Sequence, residues 1–262
     1  MSCFRILYFD FPHLLDLLPF ALKRAFEERV LGQYKIGVIG PIASGKSHMC
    51  RRLAERSKLL GIPCLHVSYD QLTRELYAEQ SPEAEQVRER IVELLGSDTR
   101  DADGSMNRKI MAARLFAPDC PEETRRTIEK AITPHVLRME QELLTGFRGL
   151  VLIECATLLE MGLMGRVNNH VIVVESLEHD AMLLARQIDR KFAADVARHQ
   201  STADELANLA NRLIRNDRGG FVLRYANRMS ETRDDLNRDT TELMRQVLSV
   251  LPSILDETEA LC

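Results

Sequence analysis

Lys35-Ile36-Gly37-Val38-Ile39-Gly40-Pro41-Ile42-Ala43-Ser44-Gly45-Lys46-Ser47 is the stretch on which the reading of this chain turns. A short apolar run ends in a Gly/Pro turn, which predicts a buried strand over 35–40. The turn matches G-x-x-x-x-G-K-[ST] in full, and the spacing predicts a helix from Lys46 to about Leu60, broken at Gly61. In that setting the glycines let successive backbone N–H groups turn inward around phosphate oxygens. The helix N-terminus adds partial positive charge. Lys46 can reach the β- and γ-phosphates, and the Ser47 hydroxyl can ligate Mg²⁺. Gly40, Pro41, Ile42, Ala43, Ser44, Gly45, Lys46, Ser47 and the adjoining His48 are therefore the candidate ATP-binding residues. The bland alternative is a Gly-rich turn that caps a helix.

Outward from this loop, strand-like runs alternate with helical periodicity. Residues 62–70 read as a second strand ending at Asp70, Leu150–Ile153 as a third ending at Glu154, and His170–Glu175 as a fourth. Residues 71–146 are mostly helical in pattern, and helices are expected over about 180–199 and 203–213, with Leu213–Asn216 a possible fifth strand. Buried strands alternating with helices imply a parallel sheet in an α/β fold, a three-layer P-loop NTPase architecture whose ligands bind at the carboxyl edge of the strands. The expected organisation is an N-terminal helical extension (1–34), a P-loop kinase domain (35–220) and a charged helical tail (221–262). Within the domain lies a helical insert (71–146).

Composition narrows the function classes. The 262 residues carry 35 Lys+Arg against 39 Asp+Glu, a formal net charge of −4, with 45% hydrophobic and 5% aromatic residues. This balance argues against a dedicated nucleic-acid binder. The apolar segment Leu14–Leu22 is too short to span a bilayer, and its positive charges, Lys23 and Arg24, follow it rather than precede it as in a signal peptide. Six scattered cysteines (Cys3, Cys50, Cys64, Cys120, Cys155, Cys262) without metal-ligand spacing suggest reduced thiols in a cytoplasmic protein. A monomer or weak oligomer is expected, acting on a small molecule and not on a membrane.

A P-loop site needs a carboxylate beside its metal, and Glu154 at a strand end fits that role. Asp70 falls on the same edge, where a carboxylate could orient and deprotonate a hydroxyl attacking the γ-phosphate, or else cap the following helix. Their convergence with the P-loop favours phosphoryl transfer to a small acceptor over nucleotide binding alone.

Together these stretches resemble dephospho-CoA kinase over about residues 35–220. Asp103-Gly104-Ser105-Met106-Asn107-Arg108 with Leu115-Phe116 is similar to that family's most discriminating signature, and Glu154–Glu160 is similar to its D-x-P-L-L-[FY]-E segment. Arg186 and Arg190 match its R-x-x-x-R, and Gln200 to Asn216 matches its Q…A-[DN]-x-[VIL]-I-x-N. The resemblance implies ATP and Mg²⁺ as cofactors and transfer of phosphate to the ribose 3′-hydroxyl of dephospho-CoA. By the same resemblance Lys46, Asp70 and Arg190 are catalytic, and Arg186 and Asn216 contact ATP. Asp70, Arg108 and Glu160 face the substrate, and Ser47 and Glu154 organise the metal. The resemblance also implies that the helical insert binds substrate and that a short lid spans 185–200. The chain departs from the pattern at Pro41, Thr133, Ala156-Thr157 and Asn211. Thr133 and Ala156-Thr157 motivate one alternative, a kinase for another nucleotide or nucleoside. A second is a diverged nucleotide-binding module without turnover, whose N-terminal helix and tail from Phe221 to Cys262 would be partner-binding surfaces.

Overall fold

The structure, a computed structural model, describes residues 32–214, 220–228, 238 and 241–247. Of the expected N-terminal helical extension, residues 1–31 lie outside the described residues, as does Asn216, while Gln33 and Tyr34 belong to the first strand.

Five parallel strands form one sheet in the order β2-β3-β1-β4-β5. They are β1 (Gln33–Ile39), β2 (Cys64–Ser68), β3 (Gly149–Glu154), β4 (His170–Ser176) and β5 (Phe221–Asn227). Every residue of β3 is buried, as expected for a strand flanked on both sides and covered on both faces. Alternation along the strands assigns the two faces. Ile36, Val38, Leu150, Leu152, Ile172 and Val174 point to one core, which α1 (Lys46–Leu59) covers with Met49, Cys50 and Leu53. Leu243, Met244 and Val247, in the helical segment 241–247, complete that core.

Val151, Ile153, Val171 and Val173 point to the opposite core. There they meet Tyr69 and Leu72 of α2 (Tyr69–Ala78), Val136 of α5 (Glu122–Leu144), and Leu206 and Ala210 of α8 (Ala203–Leu213). Between β2 and β3, α2 and α5 combine with α3 (Pro82–Leu95) and α4 (Arg108–Leu115) around a core of their own, containing Leu76, Val87, Ile91, Met111 and Ile128.

The structure corrects the expected element pattern in four places. Leu213 ends α8, which a Thr202–Glu205 capping box starts, so the run Leu213–Asn216 does not supply the fifth strand. That strand is Phe221–Asn227, where aromatic and β-branched residues pair with all of β4. A boundary at residue 220 with a wholly helical tail therefore cuts the sheet. The single helix expected over 180–199 is two, α6 (His179–Ala185) and α7 (Arg190–Ala197). Gln187, at φ 53°, breaks the helical path, and Asp189 caps the restart by accepting from the Phe192 N–H. Asp70 does not end β2 but occupies the first turn of α2.

Candidate active site

The chain leaves β1 through Gly40, where a Cβ would lie 2.2 Å from the Val174 carbonyl oxygen, so only glycine fits without moving β4. Gly45, at φ 95°, turns the loop into α1 in a left-handed conformation that other residues rarely adopt. The first turn of α1 carries no acidic side chain and no side-chain cap, which leaves its N–H groups for an anion. Ser44 Oγ is fully buried within this cradle and has no hydrogen-bond partner among the described residues.

Lys46 is 9% exposed and donates to the Gly40 and Pro41 carbonyls at 2.9 Å each. Burial lowers its pKa, while the nearby charges of Asp70 and Glu154 oppose that shift. The Ile42 N–H donates to Gln200 Oε1 at 2.8 Å, and Asn227 Nδ2 donates to the Ser44 carbonyl at 3.2 Å. The loop is thereby tied to the segment before α8 and to the end of β5.

At the end of β3, Glu154 is 4% exposed and uses both carboxylate oxygens. Ser47 Oγ donates to Oε1 at 2.6 Å, and His66 Nε2 lies 2.8 Å from Oε2. Burial pushes the Glu154 pKa up, but the His66 and Ser47 hydrogen bonds and the Lys46 charge outweigh it and hold the carboxyl below its usual value. With its proton directed at Glu154, Ser47 keeps oxygen lone pairs free. The resulting hard oxygen set suits Mg²⁺.

Glu154, Ser47, His66 and Asp70 line a cleft of about 540 Å³ at the carboxyl edge of the sheet. A larger cleft of about 1070 Å³ runs between α5 and the segment joining α7 to α8. It is lined by Glu160 and Gln200, with Arg125, Lys130 and Arg198 interspersed among carboxylates.

Of the residues singled out from sequence, Lys46, Ser47, Asp70 and Glu154 come together. Arg186 is exposed, yet its charge acts on both Lys46 and His48. His48, half-buried, has its pKa lowered by burial and by Arg51 and Arg52. Arg190 is not brought onto the loop: it is 81% exposed and sits 3.9 Å from Asp180. Arg108 is exposed on the insert, where its charge acts on Tyr77. Glu160 lines the larger cleft and accepts from Ser201 Oγ at 3.2 Å. His66 and Asn227 were not singled out. The first was hidden inside an apolar run, although its parity with Ser68, the register partner of Glu154, put both on one face of β2.

Known proteins agree with this architecture. A crystal structure of TT1252 from Thermus thermophilus superposes with a TM-score of 0.57 at 23% identity, covering 82% of this chain and 98% of that one. Dephospho-CoA kinase of Chlorobaculum tepidum is 31% identical over 191 residues, 70% of this chain and 86% of that protein. The enzyme of the same name from Sodalis glossinidius is 30% identical over 190 residues, 69% and 85% respectively. That of Cutibacterium acnes is 34% identical over 105 residues, 40% of each chain. The sequence profile described as Dephospho-CoA kinase matches residues 34–220, from the second residue of β1 to the threshold of β5. A match over most of the chain, with a P-loop, a strand-end carboxylate and a helical insert placed as above, makes this chain a member of the dephospho-CoA kinase family.

Proposed function

We infer that this chain transfers the γ-phosphoryl group of ATP to the ribose 3′-hydroxyl of dephospho-CoA, giving CoA. Family membership supports the reaction, and the convergence of Lys46, Ser47, Glu154 and Asp70 on one sheet edge supports the assignment of roles. The P-loop N–H groups and the α1 N-terminus bind the phosphates, and Ser44 Oγ gains a phosphate oxygen as partner. Lys46 leaves the Gly40 and Pro41 carbonyls for the β- and γ-phosphates, where its charge offsets the charge developing during transfer. Ser47 and Glu154 hold Mg²⁺, which when bound neutralises phosphate charge. Asp70 orients the acceptor hydroxyl and takes its proton. The larger cleft, reached through Gln200, receives the remainder of the acceptor. Arg186 faces the phosphates, and Arg190 joins it on closure of the segment from α6 to α7. The alternative of another nucleotide acceptor lacks an observation of its own. Four free thiols among the described cysteines fit a reducing, cytoplasmic setting, and no helix among the described residues is long and apolar enough to cross a membrane.

Asp70→Asn tests the role that separates a kinase from a nucleotide-binding module. It removes the proton acceptor and keeps the shape. The expected result is a kcat for CoA formation lower by about 10²–10⁴-fold with the Kd for ATP within about twofold of wild type. An unchanged kcat takes Asp70 out of the mechanism.

A further inference from the structure

Beside the magnesium ligands lies a second set of donors that an oxygen-only site does not need. Cys50 Sγ, a ring nitrogen of His66 and a carboxylate oxygen of Glu154 all lie within 4.8 Å of one another, the one such group of His, Cys and carboxylate donors among the described residues. The three come from different elements. Cys50 sits one turn along α1 from Lys46, His66 lies in the middle of β2, and Glu154 ends β3. Cys50 is fully buried in the core beneath α1, and Glu154 is 4% exposed. The His66 side chain is 19% exposed and lines the cleft, which gives an ion from solvent a way in.

Tetrahedral zinc, with metal–ligand distances of about 2.0–2.3 Å, needs donors roughly 3.3–3.8 Å apart, so side-chain adjustments of about 1 Å suffice. A sulfur, an imidazole nitrogen and one carboxylate oxygen form a set that runs from soft through borderline to hard. Such a set takes Zn²⁺ in strong preference to Mg²⁺.

We propose that Cys50, His66 and Glu154 form a zinc-binding site, and that zinc there excludes magnesium from Ser47 and Glu154. On binding, the Cys50 S–H bond breaks, a zinc–thiolate bond forms and the proton goes to solvent. His66 exchanges its hydrogen bond to Glu154 for the metal through a ring nitrogen lone pair. Glu154 turns to zinc the oxygen that His66 releases, and its charge, now engaged by zinc, is no longer available to magnesium beside Ser47. No oxidant or reductant is involved. The exclusion half of the proposal rests on Glu154 serving the magnesium site; the zinc site itself does not.

The test titrates reduced, chelator-stripped full-length protein with Co²⁺ as a spectroscopic stand-in for zinc. One equivalent should produce a thiolate-to-cobalt charge-transfer band, which Zn²⁺ abolishes. Cys50→Ala should lose the band, and His66→Gln should bind at least about tenfold more weakly. Cys50→Val, which leaves no cavity at this buried position, serves as the second variant should the alanine chain fail to fold. Absence of the band in wild type, or its persistence in either Cys50 variant, overturns the site. A companion assay measures kinase rate against free Zn²⁺ at fixed ATP. Wild type should be half-inhibited at a concentration at least about tenfold lower than Cys50→Ala, whose rate without zinc stays near wild type, and added Mg²⁺ should relieve the inhibition. Equal sensitivity of the two proteins overturns the exclusion. A cobalt band whose midpoint does not move with Mg²⁺ and ATP overturns the shared use of Glu154, separately from the zinc site.

Discussion

At the scale of single residues, the length of Glu154 is what matters at this site. Asp is the residue the family resemblance puts at this strand end, one methylene shorter. Here the longer side chain reaches Ser47 Oγ with one oxygen at 2.6 Å and His66 with the other at 2.8 Å. Shortening it by about 1.5 Å cannot preserve both bonds. Glu154→Asp is therefore expected to raise the Mg²⁺ concentration for half-maximal rate by about tenfold. Binding of ATP without metal should stay unchanged, because the P-loop cradle is untouched. A magnesium titration of the initial rate, alongside metal-free nucleotide binding, checks both halves. The carboxylate is held below its ordinary pKa, so its bonds are intact at neutral pH and its contribution to stability is lost only as pH falls through that lowered value.

At the scale of elements, the insert is fastened to the sheet by one buried charge that the sequence did not announce. Glu140 of α5 is fully buried, accepting from Tyr69 Oη at 2.6 Å and from Arg166 at 3.0 Å, with Lys35 Nζ at 3.5 Å. These bonds join α5 to β1, to the start of α2 and to the loop before β4, and Tyr69 adjoins Asp70. Replacing Glu140 by Ala leaves Tyr69 and two cations facing a void and should cost about 3 kcal/mol in urea unfolding. Asp70 would then be less well placed, so kcat should fall further than ATP affinity.

What was legible and what was not divides along the same physical line. The parallel strands, α1 and the P-loop were readable, since apolar runs and glycine spacing are local signals. The Lys46–Ser47–Glu154 convergence followed because strand ends in a parallel sheet share an edge. Glu140, His66 and Gln200 get their meaning from partners 26 to 158 residues away, which no periodicity reports. β5 was missed for a related reason. Phe221-Val222-Leu223-Arg224-Tyr225 is half-exposed at the sheet edge, and its Arg224, paired with Glu175 and Asp204, blurs the alternation into the charged tail that follows.

At the scale of the whole molecule, chemistry and acid sensitivity sit at opposite edges of the sheet. The phosphate site gathers at the carboxyl ends of β1 and β3, whereas His170 opens β4 at its amino end, in register two residues before Glu154 and four before Gly40, about 7 to 13 Å back along the strands. His170 is 3% exposed, hydrogen-bonds Tyr34 Oη on β1 and packs its ring 4.1 Å from Phe221 on β5, so it joins three strands. Burial lowers its pKa to about 4, against about 6.5 in an unfolded chain. Between those values the unfolded chain binds a proton that the folded one does not. Stability should therefore fall as pH drops from about 6.5 towards 4, by roughly 2 kcal/mol once partial solvent screening is allowed for. His170→Gln keeps a hydrogen-bonding partner for Tyr34 and removes the titration. Urea midpoints measured from pH 7 to pH 5 should decline for wild type and decline much less for the variant, with CoA formation at neutral pH unaltered. An equally steep decline in the variant would place the acid-sensitive group elsewhere. Loss of neutral-pH activity would mean that the two edges of the sheet are coupled rather than independent.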